Sequence, residues 1–287
     1  MITCNLMGGL GNQLFQIFTT ICYAIQNKQP FKFANITTLG KGNTTIRHTY
    51  WETFLSRLKP FLMNPIDFPN VELIKEDGFN YRPLPFVSSG ANICLYGYYQ
   101  SYKYFNHSFN QICKMIQLEE MKANVIKKLD YNIYNSYFFN QAISIHFRLG
   151  DYKKVQHVHP IMNIKYYEDS LKYIQERRVA DKNVLYFCEE DDITEVSEMI
   201  DSLKATFPKY QFIRADNELE DWEQILLMSC CRYNIIANST FSWWGAYFNS
   251  DSKKTVIYPS VWFGSNVKYV TDDLFPNEWI KMEVVID

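Results

Sequence analysis

Three short runs in this sequence carry side chains whose types and spacing suit chemistry on an anion. The first is His146-Phe147-Arg148-Leu149-Gly150-Asp151-Tyr152, which gathers an imidazole, a guanidinium and a carboxylate. Arginine presents a fixed fork of donors that fits phosphate oxygens. Asp151 can brace that arginine or take a proton from an attacking hydroxyl. A satisfied core histidine beside a plain Arg–Asp salt bridge is the competing structural explanation. The second run is Asn238-Ser239-Thr240-Phe241-Ser242. Hydroxyls and free backbone N–H groups at a helix start make an anion site. A helix cap alone would account for one Ser or Thr but not for the whole cluster. The third is Gly8-Gly9-Leu10-Gly11-Asn12-Gln13. Its glycines let a ligand or another backbone come close. Asn12 and Gln13 can either cap the helix that follows or hydrogen-bond a sugar. The spacing differs from G-x-G-x-x-G, which argues against a nicotinamide or flavin role.

An arginine at one strand end and a helix-start cluster at another could hold a diphosphate from two sides. No Walker lysine loop occurs, and no D-x-D pair sits where it would place a divalent ion; Glu189-x-Asp191 is the nearest substitute. A diphosphate leaving group without a metal needs arginine and helix-dipole stabilisation instead. The expected chemistry is therefore metal-independent transfer from a nucleotide sugar. Asp151 is the first candidate for the base, with His157, His159 and Glu189 outside it.

The elements that must position these groups follow from periodicity. Ala142 to Phe147 alternates as a buried strand and breaks at Gly150. Ligands of open α/β sheets bind at such strand ends. Downstream, strand and helix patterns alternate: helix Ile164 to Arg178, strand Val184 to Cys188, strand Tyr210 to Arg214, helix Trp222 to Cys231, strand Arg232 to Ala237, and a last strand Thr255 to Tyr258. That order predicts a parallel, Rossmann-like sheet. Upstream, Ile2 to Met7 reads as a strand and Leu14 to Gln26 as a helix, the opening of a βαβ unit. Phe31 to Asn35 reads as a strand, Thr37 to Thr45 as a loop, Tyr50 to Leu62 as a helix and Ile93 to Tyr99 as a strand. Residues 64–90, with Pro65, Pro69, Pro83 and Pro85, read as irregular surface open to acceptor contacts. Glu119 to Tyr137 reads as a helix bridging two halves. A boundary near residue 140 gives two domains, 1–140 and 141–287.

Bulk properties agree with this class. The 287 residues suit two modest α/β domains, and 47% hydrophobic against 21% charged residues implies a real core. A net charge of -2 gives no global drive toward nucleic acid. The 7 cysteines lie mostly in apolar stretches without a C-x-x-C pair, as reduced cysteines do. No apolar run approaches the ~20 residues that span a bilayer. The first strand begins at residue 2, so a cytoplasmic protein without a signal peptide or transmembrane segment is expected.

With these residues in view, the chain resembles glycosyltransferase family 11, the α-1,2-fucosyltransferases, over nearly its full length. Gly8-Gly9-Leu10-Gly11-Asn12-Gln13-Leu14-Phe15-Gln16 resembles the family's N-terminal signature, and Tyr96-Gly97-Tyr98-Tyr99-Gln100 its mid-chain segment. His146 to Tyr152 is similar to its H-x-R-R-G-D-Y motif. Asn238 to Ala246 is similar to its N-S-T-F-S-W-W segment. The resemblance implies a GT-B fold of two facing Rossmann-like domains. It implies GDP-fucose as donor, inversion at the anomeric carbon, and the 2-hydroxyl of a galactose-terminated glycan as acceptor. Arg148, Glu189, Asn238, Ser239, Thr240, Phe241 and Ser242 would then face the donor, with His146 and Asp151 beside Arg148. Gly9, Gly11, Asn12, Gln13, Tyr98 and Gln100 would line the acceptor side. Two positions depart from the pattern: Leu149 replaces the family's second arginine, and Tyr233 replaces a histidine found in many members. Two rivals stand beside this expectation: a same-fold enzyme using another GDP-sugar, and a non-catalytic sugar-nucleotide-binding protein.

Overall fold

The computed structural model describes residues 1–40, 45–130, 133–177 and 183–285. Its contacts divide the chain into two compact units, one of residues 1–121 with 269–276, the other of 122–268 with 277–287. No helix among the described residues is long and apolar enough to cross a membrane.

The first unit carries strands β1 (Ile2–Cys4), β2 (Phe33–Ala34), β3 (Thr38–Leu39), β4 (Arg47–His48), β5 (Leu62–Met63), β6 (Glu72–Lys75) and β7 (Ile93–Tyr96), with helices α1 (Leu10–Gln26) and α2 (Phe109–Met115). Strands β1, β7 and β6 form a parallel sheet, β2 pairs with β5 in parallel, and β3 pairs with β4 antiparallel. Helix α1 begins at Leu10, ahead of the expected Leu14. Leu10 lies one turn before Leu14 on the buried stripe that continues through Ile17, Phe18 and Ile21. Three expectations fail here. Thr37 to Thr45 is not wholly loop, because β3 lies within it. Tyr50 to Leu62 is not an α-helix but a turn and a 3₁₀ segment, Ser56–Phe61, with Pro60 inside it. Proline lacks the N–H an α-helix interior needs. Residues 64–90 are not wholly irregular, because β6 lies within them. It is an edge strand whose side chains stay mostly exposed, so no buried alternation marks it.

The second unit carries β8 (Ile143–His146), β9 (Asn183–Phe187), β10 (Gln211–Arg214), β11 (Tyr233–Ile235), β12 (Thr255–Pro259) and β13 (Ile280–Met282). Helix α3 (Leu118–Lys128) leads into it, followed by α4 (Ser136–Phe139), α5 (Ile164–Arg177), α6 (Ile193–Thr206), α7 (Asp221–Cys230) and α8 (Thr240–Tyr247). The six strands are parallel, in the order β10-β9-β8-β11-β12-β13. Counted along the chain, that is third, second, first, fourth, fifth, sixth: the doubly wound Rossmann order, which reverses between β8 and β11. Ile143, Ile145, Val184, Ile235 and Ile257 fill one face with Tyr166, Tyr167, Leu171 and Ile174 of α5.

Four features differ from the linear expectation. The break near residue 140 falls inside the second unit, because α3 is anchored there. Lys122 Nζ donates to the Phe248 carbonyl at 2.6 Å and Lys128 pairs with Glu223. Residues 269–276 return to the first unit, where Ser101 Oγ donates to the Asp273 carbonyl at 2.5 Å. Thr255 to Tyr258 is not the last strand; β13, short and half-exposed, follows and pairs with β12. The helix expected over Glu119 to Tyr137 is the shorter α3, and Tyr131 and Asn132 of that span lie outside the described residues. So do residues 41–44 of the expected loop, and Arg178 at the end of α5.

Candidate active site

Strand β8 ends at His146, and the chain turns away through Arg148 and Gly150 at the point where strand order reverses. The run is buried throughout β8: Ile143, Ile145, Phe147 and Leu149 join the core cluster, while Ser144 and His146 are buried on the other parity, ahead of the partly exposed Arg148. The Arg148 fork is held at both ends. Its Nη1 pairs with Glu189, just past β9, and its Nη2 with Asp151. The guanidinium lies over the Tyr152 ring, 5.0 Å from the centroid. Gly150 sits at φ +34, where a side chain is strained, and a Cβ there would push aside the end of the Glu189 side chain, 2.5 Å away at Oε2. Its N–H donates to Asp192 Oδ2 at 2.7 Å.

The second strand end meets the first. Tyr152 Oη donates to the Asn238 carbonyl at 3.1 Å, joining the loops after β8 and β11. Ser239 is the N-cap of α8; its Oγ accepts the Phe241 N–H at 3.3 Å, and Ser242 Oγ donates back to the Ser239 carbonyl at 3.4 Å. Thr240, half-buried, opens the helix. The Asn238 Nδ2 donates to the carbonyls of Pro160 (2.9 Å) and Trp262 (3.2 Å). Its Oδ1 is buried without a hydrogen-bond partner, as is Nδ1 of His146, whose ring lies 5.4 Å from that of Phe241. Buried polar atoms left unpaired in a folded chain need an explanation, and a ligand is one. Burial, and then the charge of Arg148, hold the His146 imidazole down at about 3, so the ring is neutral at ordinary pH. Trp243 and Trp244 are fully buried and serve packing.

Among the other candidates, His159 stacks on Tyr152 at 4.8 Å and burial lowers its pKa, while His157 is exposed. Leu149 lies in the core, on the opposite parity from Arg148.

In the first unit, the glycine loop is fixed by amides. Gln13 Nε2 donates to the carbonyls of Gly8 (3.0 Å) and His48 (2.9 Å). Gln16 binds both N–H and C=O of Met7, at 2.9 and 3.0 Å. Gln13 does not cap α1, whose N-cap Gly9 has no side-chain cap bond; it is fully buried, with Oε1 unpaired. Asn12 is half-buried and accepts Gln100 Nε2 at 2.9 Å, so two motifs far apart in sequence meet there. Gly9 is open beside them and Gly11 is buried within α1. Tyr98 is 40% exposed, its N–H donating to Glu76 Oε2 at 2.7 Å. Sequence reasoning missed Glu76, which sits just past β6 in the proline-rich stretch; burial raises its pKa. It missed Asp192 as a partner of Gly150, since an Asp at that place looks like a helix cap.

Comparison with known proteins gives a consistent answer. Residues 70–283 match glycosyl transferase family 11. The O-antigen biosynthesis glycosyltransferase WbnK of Escherichia coli is 30% identical over 194 residues, covering 66% of this chain and 60% of that protein's length. An alpha-1,2-colitosyltransferase of Escherichia coli is 25% identical over 306 residues, covering 99% of both. A crystal structure of POFUT1 in complex with GDP shares the fold, with a TM-score of 0.50 at 11% identity, over 90% of this chain and 97% of that one. The architecture is thus α/β of GT-B type with parallel sheets, and the chain is a glycosyltransferase belonging to glycosyl transferase family 11.

Proposed function

We propose that the chain transfers L-fucose from GDP-β-L-fucose to the 2-hydroxyl of a galactose-terminated glycan, with inversion and without a metal ion. The observation that carries this reading is the Arg148 fork at the switch point, next to the N-terminus of α8 and two unpaired buried atoms, His146 Nδ1 and Asn238 Oδ1. In this reading the acceptor hydroxyl gives its proton to a base, for which Asp151 is the first candidate, its oxygen bonds to the anomeric carbon as the bond to the β-phosphate breaks, and GDP leaves with the electron pair. Arg148 neutralises the charge that grows on the diphosphate, and the N–H groups and hydroxyls of Ser239, Thr240 and Ser242 hold the remaining oxygens. Neutral His146 offers a hydrogen bond to the donor without competing as a cation. Asp151, whose Oδ1 pairs with Arg148, also braces the guanidinium. On the acceptor side the reading uses Gly9, Asn12, Tyr98 and Gln100.

The test is GDP release from GDP-fucose in the presence of lactose, with mass and NMR analysis of the product. A 2-linked fucosyl product is expected. GDP binding without turnover would replace this reading with a sugar-nucleotide-binding protein. A second reading, transfer of a different sugar from its GDP ester, draws support from the relative named for colitosyl transfer. Competition among GDP-sugars for turnover separates the two.

A further inference from the structure

Asp192 stands at the N-cap of α6, where an aspartate ordinarily accepts from the first turn of its own helix. It makes no such bond. Its side chain is turned across to the loop after β8 instead, where Oδ2 accepts the Gly150 N–H at 2.7 Å and Oδ1 pairs with Lys153 Nζ at 2.9 Å. The residue is only 1% exposed, so both oxygens are committed in a dry corner. A carboxylate is costly to bury and stays only where charge and hydrogen bonds compensate it. Here the compensation runs entirely to the loop that carries Arg148. Lys153 is also bound by Glu195, and those two carboxylates raise its pKa. Glu189 and Asp151 grip the guanidinium, but both are half-exposed to water. Asp192 is the buried member of the set, and it holds backbone rather than the fork.

We infer that Asp192 is a positioning residue for transfer: by taking the Gly150 N–H and Lys153 together, it fixes the 148–154 loop so that Arg148 meets the diphosphate preorganised. This rests on the donor reading above. A preorganised cation counts for more in the transition state than in the ground state, so the effect belongs in kcat more than in binding. Asparagine can still accept the Gly150 N–H, whereas alanine cannot.

The experiment compares Asp192→Ala and Asp192→Asn in full-length protein. It reads kcat and donor KM for GDP-fucose with lactose, GDP affinity by calorimetry, and folding by circular dichroism. Asp192→Ala should lose about tenfold or more in kcat, the scale of one buried hydrogen bond, with GDP affinity within about threefold of wild type. Asp192→Asn should recover most of that kcat. A folded Asp192→Ala with at least half of wild-type kcat overturns the inference, as does a loss that matches only the fraction unfolded. If Asp192→Ala does not fold, Lys153→Met and the double variant Asp192→Asn/Lys153→Met decide. The double variant should turn over faster than Lys153→Met, and no improvement overturns the inference. Wild-type turnover of GDP-fucose is measured alongside: its absence counts against the donor reading, while normal wild-type turnover with an undiminished Asp192→Ala counts against the inference alone.

Discussion

Replacing Arg148 separates catalysis from stability in a way the geometry makes quantitative. The Arg148 side chain is 19% exposed, but its partners Asp151 and Glu189 are 55% and 50% exposed. Arg148→Ala therefore leaves two carboxylates that water can solvate. Exposed ion pairs contribute roughly 0–1 kcal/mol each, so stability should fall by about 1–2 kcal/mol at most. Catalysis should fall much further. Loss of one preorganised donor to a developing anion typically costs ~10²–10³ in kcat. Arg148→Lys keeps the charge, yet one ammonium cannot replace a fork that reaches two strand ends, so it should also be badly impaired. Leu149 offers no substitute cation, since that neighbour is buried in the core. The assay is kcat by GDP release, well below each variant's melting point and in protein whose circular dichroism matches wild type. If either variant keeps more than about a tenth of wild-type turnover, the diphosphate does not sit on Arg148 and the donor placement is wrong.

Ser239→Ala combined with Thr240→Ala should weaken GDP binding in calorimetry, while a lost cap explains only ~1 kcal/mol of stability; unchanged affinity with a lower melting point would make the cluster a cap. Activity in excess EDTA should stay near the untreated level, and a loss restored by Mn²⁺ or Mg²⁺ would refute metal independence. His146 is held near about 3 when folded, below its unfolded value of ~6.5, so its contribution is full above pH 6.5 and is lost as pH falls toward 3. Denaturant titrations at pH 7 and 4.5 should show wild type losing about 2 kcal/mol more than His146→Gln; parallel losses would mean that His146 is not buried as described.

Much of the second unit was legible because its signals are local. An apolar strand, a polar break and a helix start recur after 142, and burial follows that pattern through β8, β9, β11 and α8. The parallel class and the pairing of Arg148 with Asp151 follow from such spacing. Long-range facts were not legible. Glu189 as the second partner of Arg148, and Asp192 as the partner of Gly150, arise because β9 lies beside β8 in the sheet. The Asn12–Gln100 bond joins residues 88 apart through the β1–β7 pairing. Residues 269–276 returning to the first unit breaks the assumption that a unit is one continuous segment. Strands β6 and β13 escaped because they are short and largely exposed, so tertiary pairing rather than periodicity makes them strands.

Leu149 gives the sharpest case of spacing read in two ways. The family pattern has a second arginine there, and from sequence alone its replacement looks like a lost phosphate contact. The structure puts position 149 on the parity of Ile143, Ile145 and Phe147, all buried in the core of the second unit, with Leu149 itself only 6% exposed. Restoring the family residue by Leu149→Arg would thus send a guanidinium toward apolar neighbours, not beside Arg148. A charge there must remain unpaired at a cost of several kcal/mol or drag its stem out to water and open the corner above Gly150. Leu149→Arg should therefore melt well below wild type, gain no GDP affinity, and lose turnover as the 148–154 loop shifts. The neutral control is Leu149→Met, which conserves volume and should change stability by less than about 1.5 kcal/mol. If Leu149→Arg instead melts like wild type and binds GDP more tightly, position 149 reaches the donor after all, and the parity argument that sets Arg148 apart from its neighbour fails with it.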